Sequence, residues 1–360
     1  MNIGPIEKPN ARKWMSSGNP RRILIIRMQA IGDVVLTFPI IQALKNQYPD
    51  MEIDFLTRHT QYNLSKKLSA INKVIAITNS QRTWWQALDL ARHLPYLILR
   101  KYDVIIDLQC NKASRGLCRL LKPVAWAEFD RKGLSPAITR YQKAVEATGL
   151  CIDNDCPFMH LINPNNGESL LLENGWDGKS AMVVLNPAGL FKSRNWPIEN
   201  YVAFAKKWIA IFPKTQFLIM GDDRIFTKAG YLKEQLGNSL INLTRKTTLD
   251  EAFCILSRVK FMISEDSGLY WMAWVQKIPS IAMFGSTPGA RMNMGGSHAR
   301  FLTSTDLPCG DCFLPDCKFG EKPLCLSRYT PEAMIFIAQE ILGPALTQPR
   351  IDQQIINQPS

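Results

Sequence analysis

The sequence predicts an α/β protein made of two parallel sheets, each covered by helices on both faces, with a cleft between them. Three observations lead there. Apolar runs of strand length alternate with longer helical stretches through the first half. The pattern lapses in NPNNGESLLLENGWDG, Asn163–Gly178, a segment rich in Asn and Gly that reads as a linker, and then begins again. The stretch ISEDSGLYWMAWVQKIPSIAMF, Ile263–Phe284, holds in one piece a strand end, a tight turn, a helix and the next strand.

Taken in order, residues 1–20 read as a disordered basic tail. RRILIIRM, Arg21–Met28, is a buried strand that runs into a turn, Gln29–Asp33, and a helix from Val34 to Gln47. Ile53–Thr57, Val74–Ile77 and Val104–Leu108 are further strands, with helices around Tyr62–Leu68 and Trp84–Leu99 between them. After the linker come strands at Ala181–Leu185, Thr215–Met220 and Leu240–Leu243, and helices that open at Pro197, Lys228 and Leu249. In the stretch from Ile263, Asp266 or Ser267 can cap the helix Leu269–Gln276, and Gly268 lets backbone approach a ligand. A helix that starts at the carboxyl end of a parallel strand offers free N–H groups to a phosphate, although any βαβ crossover has this shape without a ligand. The expected units are 21–172 and 173–343, the second with a Cys-rich loop at 309–325, followed by a flexible tail at 344–360.

Composition narrows the partners. The chain has 360 residues, 46% apolar and 21% charged, which suits a globular protein with two ordinary cores. Neither a secretory h-region nor a membrane-length apolar run is present, so a cytoplasmic protein is expected. A net charge of +12 suits an anionic partner: nucleic acid, phosphorylated glycolipid or a membrane surface. Basic repeats rich in aromatics, which would favour nucleic acid, are missing.

The motifs, in their order and spacing, give a resemblance. They are Gly32-Asp33-Val34 with Pro39 downstream, Tyr102–Gln109 (YDVIIDLQ), Phe129-Asp130-Arg131, Asn186-Pro187 and Trp196-Pro197. Asn242-Leu243-Thr244, Asp266-Ser267-Gly268-Leu269 and Phe284-Gly285-Ser286-Thr287 complete the set. From about Arg21 to Leu342 the chain resembles glycosyltransferase family 9, the lipopolysaccharide heptosyltransferases. The resemblance implies a GT-B fold of two Rossmann-like domains, with acceptor on the first and nucleotide-sugar on the second. It also implies metal-independent, inverting transfer from an ADP-sugar, ADP-heptose above all, to an anionic glycolipid of the lipopolysaccharide-core type. The enzyme would make transient contact with the inner membrane.

Inversion needs a base that removes the acceptor proton as its oxygen attacks the sugar. Asp33 resembles the family's base, while by spacing alone it caps the following helix. The departing diphosphate needs donors and cations, for which Ser267, Gly268, Thr287, Arg194 and Lys192 are candidates. Arg194 stands where the family more often has Lys. Asp266 resembles the donor-site aspartate, and Asp222 or Asp223 can accept from ribose hydroxyls. Arg131 and Arg115 are expected to meet the acceptor. Trp271 replaces a His usual in relatives, and Arg245 a frequent Gly; both bear on the sugar rather than the fold.

No cofactor is expected in catalysis. Nine cysteines in a reducing compartment suggest thiols or metal rather than disulfides. Cys309, Cys312, Cys317 and Cys325 are spaced closely enough for a structural zinc, with disulfides or free thiols as alternatives. Two other functions stay open: another nucleotide-sugar enzyme, and a non-catalytic binder of anionic glycolipid.

Overall fold

A computed structural model describes residues 10–80, 82–153, 158–321 and 323–343. The strands of the first sheet are β1 (Ala11–Arg12), β2 (Arg22–Ile26), β3 (Glu52–Arg58), β4 (Lys73–Ile77), β5 (Val104–Asp107) and β6 (Ala125–Glu128). They lie in the order β1-β6-β5-β2-β3-β4, all parallel except β1, which pairs antiparallel with β6. The second sheet comprises β7 (Ala181–Asn186), β8 (Thr215–Ile219), β9 (Leu240–Asn242), β10 (Val259–Glu265), β11 (Ser280–Met283) and β12 (Ala299–Leu302). Its order, β12-β11-β10-β7-β8-β9, is parallel throughout. In each sheet the order reverses at one place, between β2 and β5 and between β7 and β10. Loops diverge there and open a crevice at the carboxyl ends of the strands.

The strands form because both of their faces are covered. Ile23, Ile25, Phe55 and Ile106 face one core, Leu24, Ile26, Leu56 and Ile105 the other, and all are wholly buried. The first of these cores continues into the second unit without a break. Phe38 meets Phe253 edge-to-face at 6.0 Å, and Ile31 lies against Gly268. A Cβ on Gly32 would sit 2.5 Å from the Trp271 ring, so any other residue here would have to displace that ring. No helix among the described residues is long and apolar enough to cross a membrane.

Several expectations change. The helix expected from Val34 to Gln47 is two helices, Ile31–Val35 and Phe38–Gln47, and Pro39 lies in the first turn of the second, where it needs no N–H partner. The expected linker contains a helix, Glu168–Glu173, with Leu171 buried beneath it. Part of the expected basic tail is placed, since β1 belongs to a sheet and the Trp14 amide donates to the Thr148 carbonyl at 2.8 Å. Residues 1–9 and the tail 344–360 lie outside the described residues. Strands β6 and β12 and the helix Pro331–Leu342, which packs back on helix Ile198–Ile211, were not anticipated.

Candidate active site

The crevice holds a cavity of about 580 Å³ with walls from both units. Its first wall begins where β2 ends. Gln109, in the loop after β5, accepts from the Met28 amide at 2.9 Å and so ties the neighbouring loops together. Asp33 lies in the short helix beyond. Its Oδ2 takes the Ala30 N–H at 3.1 Å and an ion pair from Arg27 Nη2 at 2.6 Å. Oδ1 accepts no hydrogen bond from a described residue, and the side chain is 38% exposed at the cavity. Capping and catalysis are therefore compatible: one oxygen steadies the turn and the other has no such partner.

Arg27 is buried beneath it, stacked near the rings of Phe129 and Tyr141 at 5.2 and 5.6 Å. Burial works against its charge, but Tyr141 and Asp33 outweigh it and raise its pKa. The base candidate thus sits against a permanent cation. Arg131, Arg140 and Arg291 add positive charge around the same cavity. Arg291 belongs to the second unit and reaches the Lys132 carbonyl of the first at 3.4 Å.

The opposite wall is built on β7 and β10. Asn186 at the end of β7 donates to Ser264 and Ser267 at 2.7 and 2.6 Å, locking the start of the helix Gly268–Val275. Asp266 Oδ2 is held by Arg194 Nη1 at 2.9 Å and Thr287 Oγ1 at 2.8 Å. Burial pushes the Asp266 carboxyl above its ordinary range, although Arg194 and Thr287 pull it down. The Arg194 guanidinium lies against the rings of Phe191 and Phe313, 4.3 and 4.8 Å away. Its Nε and Nη2 are buried and have no partner among the described residues.

Glu265, just before, is wholly buried and was not singled out by sequence. It accepts the amides of Gly189 and Trp196, each at 2.7 Å, and so shapes the loop that carries Arg194. Burial raises its carboxyl to about 7, against pulls from Lys228 and those two amides.

Of the expected site residues, Asp33, Arg131, Asp266 and Thr287 line the cavity, with Arg194, Ser267 and Gly268 directly behind. Lys192 does not join them: its side chain is exposed and 3.8 Å from Asp316. Asp222 and Asp223 are engaged by Arg224 and Arg245 at the end of β8. Arg115 also lies elsewhere, paired to Glu128 at 2.7 Å in a separate groove. Trp271 is buried between the halves and lines the cavity.

The zinc expectation gains no support. Cys309, Cys312, Cys317 and Cys325 are free thiols, and no three or more His, Cys, Asp or Glu among the described residues are gathered as metal ligands. Burial and the neighbouring thiols push Cys325 up to about 11, so it remains protonated near neutrality. The loop acts through packing instead. The Ser193 amide donates to the Pro315 carbonyl at 3.0 Å, the Phe313 amide to the Ser286 carbonyl at 2.8 Å, and Phe313 itself reaches the cavity.

A family model described as Glycosyltransferase family 9 (heptosyltransferase) matches residues 130–322. Lipopolysaccharide heptosyltransferase 1 of Pseudomonas aeruginosa is 23% identical over 348 residues, covering 86% of this chain and 95% of that protein. A family 9 glycosyltransferase structure from Veillonella parvula superposes with a TM-score of 0.70 at 19% identity, covering 89% of this chain and 97% of that one. The E. coli ADP-heptose lps heptosyltransferase II gives 0.66 at 18%, covering 89% and 98%. The two sheets and their crevice are the GT-B fold of these structures. The chain belongs to glycosyltransferase family 9 and is a glycosyltransferase.

Proposed function

We propose that this enzyme transfers a heptose from ADP-heptose to an anionic glycolipid of the lipopolysaccharide core, inverting the anomeric centre without a metal. The carrying observation is Asp33: its side chain is 38% exposed and lines a cavity that is also lined by Asp266 and Thr287, which Arg194 ties into one cluster. In this reading the acceptor hydroxyl loses its proton to Asp33 as its oxygen bonds to the anomeric carbon. The bond from that carbon to the β-phosphate oxygen breaks on the opposite side. Negative charge then gathers on the diphosphate, where Arg194 and the N–H groups opening the helix Gly268–Val275 can hold it. Side-chain and helix charge do the work that a metal ion does in other transferases. Asp266 would fix donor hydroxyls, and Arg131 and Arg140 would meet phosphates of the acceptor.

The nucleotide is assigned to the unit 173–343 and the acceptor to 21–172, with catalysis on the cytoplasmic side of the inner membrane. The names of the similar proteins, one of them an ADP-heptose enzyme, support donor and acceptor. A second reading keeps the chemistry and changes the sugar, because the bulky Trp271 lines the cavity. The test is release of nucleoside diphosphate from a panel of nucleotide-sugars, with and without a lipopolysaccharide-core acceptor. ADP release that requires acceptor and is fastest with ADP-heptose is expected; turnover only with another sugar would select the second reading, and none with any would end both.

A further inference from the structure

The helix Thr83–Arg100 crosses the outer side of the first sheet, turning Leu90 and Leu97 into the core beneath β2, β3 and β5. Its opposite stripe should be polar if it faced only water. Instead Trp84, Trp85, Leu88, Pro95, Ile98 and Leu99 are all exposed there, Leu99 at 77% and Leu88 at 53%, with the exposed cation Arg92 set among them. Trp84 and Trp85 stack at 4.1 Å at one end of this ridge. A helix apolar on its solvent side, too polar overall to span a bilayer, has the make-up of one that lies in an interface.

Beside it packs the helix Lys112–Leu121. A groove of about 530 Å³ runs between that helix and the β1–β6 edge, lined by Arg12, Arg115, Arg119, Lys122 and Trp126. Glu128 neutralises Arg115, but Arg119 and Lys122 form no ion pair with a described residue. Leu120 and Val124, about half exposed, put more apolar surface among these charges. Apolar ridge and unpaired cations therefore share one face.

We propose that this face docks the enzyme on an anionic lipid bilayer, the ridge entering the headgroup boundary while Arg119 and Lys122 meet lipid phosphates. A second copy of the chain fits less well. A two-fold contact through this face would set Arg119 and Lys122 against like charges, in a chain of net charge +12. The helix also begins just beyond the carboxyl end of β4, the edge of the sheet at which Asp33 follows β2. A bilayer on this face would lie beside the cleft mouth. The proposal builds on the membrane-anchored acceptor above, but vesicle binding without substrate tests it separately.

The full chain should co-sediment with vesicles of phosphatidylcholine plus phosphatidylglycerol, not with phosphatidylcholine alone, and come off at high salt. Arg119→Glu with Lys122→Glu should weaken binding by ~10-fold or more, as losing two interfacial cations implies. Leu88→Glu with Leu99→Glu should do the same while leaving melting temperature and turnover on a delipidated acceptor unchanged. Brominated lipid should quench tryptophan fluorescence in the wild type and much less in Trp84→Phe/Trp85→Phe. Failure to bind anionic vesicles at low salt, indifference of binding to both charge and ridge variants, or a dimer that Leu88→Glu/Leu99→Glu dissolves would each overturn the proposal.

Discussion

Each half of the molecule sets an Arg–Asp pair at the carboxyl end of its sheet, and the two pairs behave differently. Arg27–Asp33 is 2.6 Å long, with the arginine buried and the aspartate side chain 38% exposed. Arg194–Asp266 is 2.9 Å long, with both side chains largely buried and Thr287 occupying the same carboxylate oxygen. The first geometry leaves one carboxylate oxygen without a hydrogen-bond partner among the described residues, on a side chain that lines the cavity. The second closes the carboxylate in and leaves the guanidinium with spare donors. One pair suits proton transfer and the other suits holding an anion, although their residue types are the same.

The largest expected effect separates those roles outright. Asp33→Asn keeps the cap, since Asn also accepts from Ala30, but cannot take a proton. Turnover should fall by at least ~100-fold with ADP affinity and melting temperature nearly unchanged. Near-normal turnover would make the two pairs equivalent and remove Asp33 from the mechanism. Asp266→Ala should act on binding instead, weakening nucleotide-sugar affinity by ~1–3 kcal/mol, the scale of a hydrogen bond to a charged group. Calorimetry showing unchanged donor affinity would detach Asp266 from the donor site.

Glu265 offers a sharper probe of the second half. Its folded carboxyl sits near 7 against an ordinary 4.5, so between those values the folded state binds more of its proton than the unfolded chain does. Its contribution to stability therefore declines as pH rises through that window. Glu265→Gln should flatten the corresponding part of the melting curve against pH. It should also cost ~1–3 kcal/mol, because an amide NH₂ then confronts the N–H of Gly189 or Trp196. An unaltered pH profile would show that Glu265 does not titrate there. The smallest effect is expected between the halves: Gly32→Ala pushes on the Trp271 ring and should destabilise by ~1 kcal/mol, the low end for overpacking. In a Trp271→Leu background Gly32→Ala should cost less than it does alone, and an equal cost would place the strain elsewhere.

Much of this was readable from sequence for a physical reason. Strands covered on both faces are continuous apolar runs, so β2, β5, β7 and β10 and the turns that leave them could be placed. Asp33 and Asp266 stand in those turns. Their partners could not be read. Arg27 looks like a charge at a strand end until Phe129 and Tyr141 are folded against it, and Glu265 looks like part of a turn until Gly189 and Trp196 arrive. For the Cys-rich loop, close spacing in sequence does not by itself gather thiols into a ligand set. Arg115 could not be placed, because a basic helix after β5 is compatible with either side of the sheet. The four residues Ala125–Glu128 of β6 alternate buried and half-buried, a signal too short to stand out.

Strand β1 is only two residues long, yet it lies along a flank of the sheet that would otherwise be bare. Ala11 and Arg12 pair with Ala127 and Trp126, and the Glu128 amide donates to the Asn10 carbonyl at 2.9 Å. Without them, β6 would present a row of unpaired N–H and C=O groups, a template on which another chain can add a strand. A truncation that begins at Pro20 should therefore fold around the same cores and lose solubility first, with light scattering rising before activity fails. The leading segment thus guards the protein against its own kind.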